Sequence, residues 1–393
     1  MTATLRRRDA LAGALSTLLL PATAARPASA RALDDEPQPR AGGARIVTRG
    51  AGSWLFAHRA SADRIADLSR PTYVGWISGF ARWENICPDR RGRYDWSAFD
   101  AVQEAAHRVG KPWKDMTILG TLEVGRPHWQ LREIPAADWV SPPSRGTFPV
   151  PWSARARAVR VEYETALAER YGDDPLHAQH RVTLDWPLAE PWFGGSSPQT
   201  WMPKWHQHAG PSATWRELQL AYQDIELDAI DTSARLWPDH TVISMATGFA
   251  FHDYTTTKPD KWDQPDAHPD RYRTWSIARD RHGDRFQARQ NGAGDPNRTG
   301  NYAGAQGYGD WIEECFGPNG HIPGPIGCQM VKDIGADHRM DLARFQRTIA
   351  VESARCRDAE IYENDLAQAN AARTQTGITV PETLARHRDT WQH

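Results

Sequence analysis

The chain has 393 residues, a formal net charge of −2 and 24% charged residues, enough length for one large domain or two small ones. It has no basic excess of the kind that binds nucleic acid or an anionic membrane surface. The aromatics are unusual, with 18 Trp against 10 Tyr and 10 Phe. Such a surplus implies a large core, a platform for sugar rings, or both. Residues 1–30, MTATLRRRDALAGALSTLLLPATAARPASA, set Arg6, Arg7 and Arg8 before an Ala/Leu run and finish on the small-residue pattern Ala28-Ser29-Ala30. This is the order of an export signal, and the Arg-Arg pair points to the twin-arginine type. The apolar run is too short and too broken to remain in the membrane as a spanning helix. A secreted or periplasmic protein is therefore expected, with no membrane attachment after the signal is removed. A Pro/Ala/Arg-rich linker over 31–43 then leads into one domain, 44–393.

From there, strand-like and helix-like segments alternate. Short apolar runs suited to buried parallel strands occur at Thr72–Phe80, Met116–Leu122, Arg181–Trp186, Thr241–Ala246, Phe286–Gln290, Ile326–Val331 and Ala359–Tyr362. A weaker run near Ile46–Leu55 makes a set of eight. Between them the spacing predicts helices over Trp96–Val109, Ser153–Tyr171, Thr214–Leu236 and Arg339–Cys356. In the first, Phe99, Val102, Ala106 and Val109 form one apolar stripe. Eight strand–helix repeats predict an α/β fold, a (β/α)8 TIM barrel with extended loops. A doubly wound open sheet has less support, because no G-x-G-x-x-G follows an early strand.

The segments after the strands are long and rich in Trp. Residues 123–152 carry Trp129, Trp139 and Trp152; 187–213 carry Trp192, Trp201 and Trp205; 247–282 carry Trp262 and Trp275. In a barrel these would gather at the C-terminal face, where this fold builds its sites. The densest stretch is VTLDWPLAEPWF, Val182 to Phe193, in which Asp185 and Glu190 stand among Trp186 and Trp192. Indole faces cover the apolar faces of pyranose rings, and a carboxyl in such a pocket has its charged form disfavoured, as a general acid requires.

The segment FARWENICPDRRGRYDWSAFD supplies Arg82, Trp83, Pro88, Gly92, Tyr94, Asp95, Trp96 and Asp100, with Gly110 and Lys111 at the end of the following helix. It resembles the second-strand region of clan A-type glycoside hydrolase barrels, the β-galactosidase-like and related families. The resemblance runs on through GRPHW at the third strand exit and LAERYGDDP before the fourth strand, covering about residues 72–193. Asp95 and Gly92 also have a scaffold role of their own, as a helix cap and a tight turn. Arg82, Trp83 and Glu84 fall at a strand's C-terminal end, facing either a ligand or, as an Arg–Glu pair, the interior.

The resemblance implies an acid/base carboxylate at the fourth strand exit, where Glu190 stands with Asp185 as the alternative, and a nucleophile at the seventh. The seventh strand instead carries Gln329. An amide cannot form the covalent glycosyl ester of a retaining mechanism, so Gln329 suits contact with a sugar hydroxyl. The second carboxylate is then sought in the eighth strand, where period two puts Glu360 and Tyr362 on one face, with Glu363 or Asp365 at the rim. Glu123, at the third strand exit, is the other candidate. Trp83, Glu84, Trp129, Asp253, Asn291 and Tyr362 complete the expected substrate contacts. No C-x-x-C or His-rich spacing points to a metal, and nothing points to a cofactor. Two functions are in view: an exported glycosidase acting on a poly- or oligosaccharide, retaining or inverting, and a barrel that binds glycan without cleaving it. Cys87, Cys315, Cys328 and Cys356 are expected to pair in an exported chain. The Gly/Pro-rich loop between Cys315 and Cys328 suits a local bridge, with connectivity open among three pairings.

Overall fold

The computed structural model describes residues 45–141, 146–183, 198–210, 212–245, 273–293, 324–330, 342–367 and 378–391. Ten strands lie among them: β1 Gly50–Phe56, β2 Val74–Arg82, β3 Trp113–Ile118, β4 Trp139–Val140, β5 Phe148–Pro149, β6 His177–Arg181, β7 Thr241–Met245, β8 Phe286–Ala293, β9 Ile326–Met330 and β10 Asp358–Tyr362. β4 and β5 form a small antiparallel pair, and the other eight close into a barrel in the order β1-β10-β9-β8-β7-β6-β3-β2. Every pairing within the barrel is parallel. The expected (β/α)8 barrel is thus the observed fold, with helices packed outside the strands.

The helices expected from the apolar spacing are present, others lie beside them, and local chemistry sets their ends. The helix α1, Ala62–Ser69, begins at Ser61, whose hydroxyl accepts from Arg64 N. The next, α2, covers Ser97–Val109, and Asp95 Oδ1 accepts from Ser97 N at 3.0 Å. Gly110 ends α2 in the left-handed region, φ 66°, where a glycine has no Cβ penalty. Lys111 then donates to the carbonyls of Pro71 and Val74, both at 2.6 Å, and so clips the end of α2 to the turn before β2. The α3 helix, Ala154–Tyr171, is capped by Ser153. After α4, Pro198–Ala209, comes α5, Trp215–Leu236, which opens on a capping box between Thr214 and Glu217. Arg273–His282 forms α6, Leu342–Arg355 forms α7 and Val380–Arg386 forms α8.

The fourth barrel strand differs from the expectation. It is His177–Arg181, ending where the apolar run Arg181–Trp186 was expected to begin. The sequence HAQHR has no apolar run because its outward face is polar. His177 and His180 both bond Asp115 of β3, at 2.8 and 2.9 Å. His180 also reaches Glu164 of α3 at 3.0 Å. Buried polar groups that satisfy one another can line a strand as apolar ones do, but they leave no hydrophobic signature.

The barrel interior is also polar, and its floor is a tryptophan. The Trp76 ring fills the space opposite Gly52, where a Cβ would lie 2.1 Å from the indole, so only glycine fits there. Trp76 Nε1 donates to Gly50 O at 3.1 Å. The apolar core lies in the layer between strands and helices, where Leu55, Ile65, Ile77, Phe99 and Val102 are fully buried.

Candidate active site at the barrel mouth

Period two along the strands decides which side chains enter the barrel. From β10, Asp358 and Glu360 point inward; Lys114 comes from β3, Ser78 from β2, and Gln287 and Arg289 from β8. The lower carboxylate, Asp358, receives Arg289 Nη2 at 2.6 Å, Thr48 Oγ1 at 2.9 Å and Gln179 Nε2 at 3.0 Å. One step higher, Glu360 forms a fully buried ion pair with Lys114. Ser78 Oγ donates to it at 2.9 Å, and Arg289 Nη1 lies 3.7 Å away. The Lys114 and Arg289 cations sit over the Trp76 ring, 5.3 and 5.5 Å from its centroid.

These charges fix one another's protonation. Burial by itself would raise the Glu360 carboxyl, but Lys114, Arg289 and Arg181 outweigh it and hold the group down at about 2. Burial, with Arg289 as a like charge beside it, brings Lys114 down to about 7. Glu360 therefore points into the barrel as expected, closed off from solvent. The sequence marks it as the second catalytic carboxylate; buried among Lys114, Arg289 and Arg181, it is placed to support the site electrostatically.

Above this layer, Trp54, Phe80 and Tyr362 form an aromatic collar. Trp54 stacks on Phe80 at 5.2 Å and meets the edge of Tyr362 at 4.7 Å. Tyr362 is half-buried, and Glu363 follows it as the first residue of a short helix, Glu363–Ala367. Gln329 sits beside Glu360 on the neighbouring strand, its Cα partner in the register. It is buried, and its Oε1 accepts no hydrogen bond among the described residues. Asn291 pairs with Gln329 from the other side, within β8.

Other expected contacts lie elsewhere. Trp83 is buried against Trp129 and Tyr163, with ring centroids 6.2 and 5.3 Å away, and the Arg126 guanidinium covers its face at 5.8 Å. Trp129 is buried too, its Nε1 donating to Cys87 O at 2.8 Å. Both are core residues, because the turn after β2 folds back under the loop after β3. Glu84 pairs with Arg82 at 3.4 Å, both partly exposed, which is the interior-pair alternative moved to the rim. Glu123 is exposed and holds the start of β5, accepting from Thr147 N at 2.7 Å and Thr147 Oγ1 at 3.2 Å. Asp185, Trp186, Glu190, Trp192 and Asp253 lie outside the described residues, as do Trp262 and the export signal. Among the remaining loop tryptophans, Trp205 and Trp275 are buried in the helix layer.

The sequence missed Lys114, Arg181, Arg289 and Asp358, all buried. Their signal was present: a polar or charged residue at every second position of a strand, as in FQAR, where Gln287 and Arg289 alternate with Phe286 and Ala288. Cys328 and Cys356 are buried side by side, and Cys315, the other half of the expected local bridge, lies outside the described residues.

No protein-family model matches the chain, and no curated protein matches it. Among solved structures, the crystal structure of the catalytic domain of β-amylase from Paenibacillus polymyxa is similar in fold. The TM-score is 0.51 at 10% sequence identity, covering 80% of this chain and 92% of that one. The molecule is a (β/α)8 barrel similar in fold to that domain.

Proposed function

We propose that the protein is an exported glycoside hydrolase that cleaves a poly- or oligosaccharide at the C-terminal face of its barrel, with Glu190 as general acid/base. The observation that carries the reading is the closed barrel of β-amylase-like fold. Its fourth strand, β6, ends at Arg181, nine residues before Glu190. That connection leaves the end of the barrel where this fold builds its sites. The half-buried Tyr362 and its Trp54 neighbour offer an apolar wall at the same end, suited to the face of a pyranose ring. Beneath them, Lys114, Arg289 and Glu360 supply a fixed polar floor, an arrangement whose dipoles need no reorganisation during reaction.

Gln329 favours a second reading, a barrel that binds glycan without cleaving it. Its buried amide occupies the seventh barrel strand beside Glu360, where a nucleophilic carboxylate would be required. In the hydrolase reading, a water attacks in its place and the second carboxylate lies about 6.5–9.5 Å from the acid, the inverting spacing.

The test is release of reducing ends from a panel of α- and β-linked oligosaccharides by the wild-type chain and by Glu190→Gln. Loss of about 10²–10⁴-fold in turnover with binding retained is expected of a general acid. Undiminished turnover in the variant would remove Glu190 from the role. Binding by calorimetry with no release from any substrate would establish the second reading.

A further inference from the structure

On the outer side of the barrel wall, where β9, the end of α7 and the start of β10 meet, Cys328, Glu352 and Cys356 are buried together. Their sulfur and carboxylate donor atoms lie within 4.8 Å of one another, and the Cys356 thiol donates to Glu352 Oε2 at 3.1 Å. The fold dictates this meeting. Gly327 faces the Gln287, Asp358 and Arg289 side chains inside the barrel, so Cys328, the next residue of β9, faces α7. Cys356 follows the last turn of α7, and Arg357 N donates to Ile326 O at 2.8 Å, which holds the chain beside β9.

We propose that Cys328 and Cys356 form a disulfide in the mature protein, tying β9 to the junction between α7 and β10. The oxidant is an organic disulfide. Cys356 loses its proton to Glu352, and its thiolate attacks one sulfur of the oxidant, expelling a thiolate that takes up the proton and leaves as the first thiol. Cys328 then gives its proton to the same carboxylate, and its thiolate attacks the Cys356 sulfur of the mixed disulfide, expelling a thiolate that takes up that proton and leaves as the second thiol. Two protein thiols are oxidised by two electrons, and one external disulfide is reduced to two thiols.

In the closed barrel both thiols are kept protonated. Burial pushes Cys328 up to about 11, and the contact with Cys328, together with burial, raises Cys356 well above the ordinary thiol value. Exchange at the closed cluster is therefore slow. A soft metal ion is the competing occupant. The pairing rests on the export in the proposed function and not on the glycosidase activity.

The test uses the full chain expressed with its signal and recovered from an oxidising compartment, unfolded without reductant, alkylated and digested for mass spectrometry. A cross-linked Cys328–Cys356 peptide that reduction removes is expected, with Cys87 alkylated. Reduction, or the paired substitution Cys328→Ala with Cys356→Ala, should lower Tm by about 3–6 °C. Alkylation of both cysteines in the oxidised protein, a Cys315–Cys328 peptide, or one equivalent of zinc that a chelator removes would each overturn the proposal.

Discussion

Lys114 and Asp115 are neighbours in β3 and belong to two different buried charge networks, one on each side of the barrel wall. Outside, Asp115 lies between His177 and His180, and His180 continues to Glu164, which also receives the Ser233 hydroxyl. Rings of Trp237 and Trp113 close this network off, stacking on His180 at 4.7 Å and meeting His177 at 4.4 Å. Inside, Lys114, Arg181 and Arg289 face Asp358 and Glu360, and Gln329 Oε1 accepts no hydrogen bond among the described residues. The outer network joins β3 and β6 to α3 and α5, answering each carboxylate with an imidazole, and so fastens strands to helices. The inner one gathers cations and a spare acceptor under the barrel mouth. Two adjacent residues of one strand thus separate a structural role from one directed at the site.

The largest effect is expected from breaking the outer network. Asp115→Asn leaves His180 charged with half its counter-ions, and losing one partner of a buried ion pair costs about 3–5 kcal/mol. Burial opposes the His180 cation, but Asp115 and Glu164 outweigh it and raise its pKa from 6.5 to about 9. A raised histidine contributes stability that is complete below about 6.5 and is lost as pH rises through about 9. Asp115 is held well below its usual 3.8 by the two histidines despite burial, so its contribution is lost at the acid end, as pH falls. Chemical denaturation from pH 5 to 9 should therefore show the wild type losing stability between about 6.5 and 9 through this network, and Asp115→Asn losing much less there. Equal slopes for the two proteins would show that the outer charges do not govern the dependence.

Glu360→Gln breaks the inner network and is expected to cost about 2–4 kcal/mol, because Lys114 loses its closest anion while Arg289 keeps Asp358. The distinguishing measurement is made at a temperature where both variants remain folded. There Glu360→Gln should change glycan binding or turnover, and Asp115→Asn should leave both unchanged. Matching losses from the two variants would erase the distinction between the two sides of the wall.

The two networks also show what the sequence could and could not convey. Helices were legible because an apolar stripe and a cap are local: the ends of α2, α3 and α5 fall within one residue of the expected ones. The barrel was legible from its repeat. The strand β6 was not, since HAQHR earns its burial from Asp115 and Glu164, residues 62 and 16 positions away from their histidine partners. The inward direction of Glu360 followed from period two, but its ion pairs with Lys114 and Arg289 depend on barrel closure, which no local pattern encodes. Trp83 and Trp129 read as sugar contacts because they follow strands. Their burial depends on how the loops after β2 and β3 fold onto each other.

The smallest effect, and one of opposite sign, is expected at a buried carboxylate that belongs to neither network. Glu226 of α5 accepts from Ser244 Oγ of β7 at 3.0 Å and from Trp275 Nε1 at 3.3 Å. Both donors are neutral, and no cation among the described residues offsets the burial, which raises its pKa from 4.5 to about 7. A raised carboxyl keeps its proton in the folded state after the unfolded chain has released it, so stability falls as pH rises from about 4.5 to about 7 and is level above that. Glu226→Gln does not titrate and avoids this loss. Relative to wild type it should gain about 1 kcal/mol at pH 8, the amide's own unmet hydrogen bonds offsetting part of the gain, and little at pH 4. Melting curves of the two proteins across that range measure the difference directly. A gain independent of pH would trace to packing. A loss growing toward pH 8 would mean that the Glu226 carboxylate has a cationic partner, like those in the two networks.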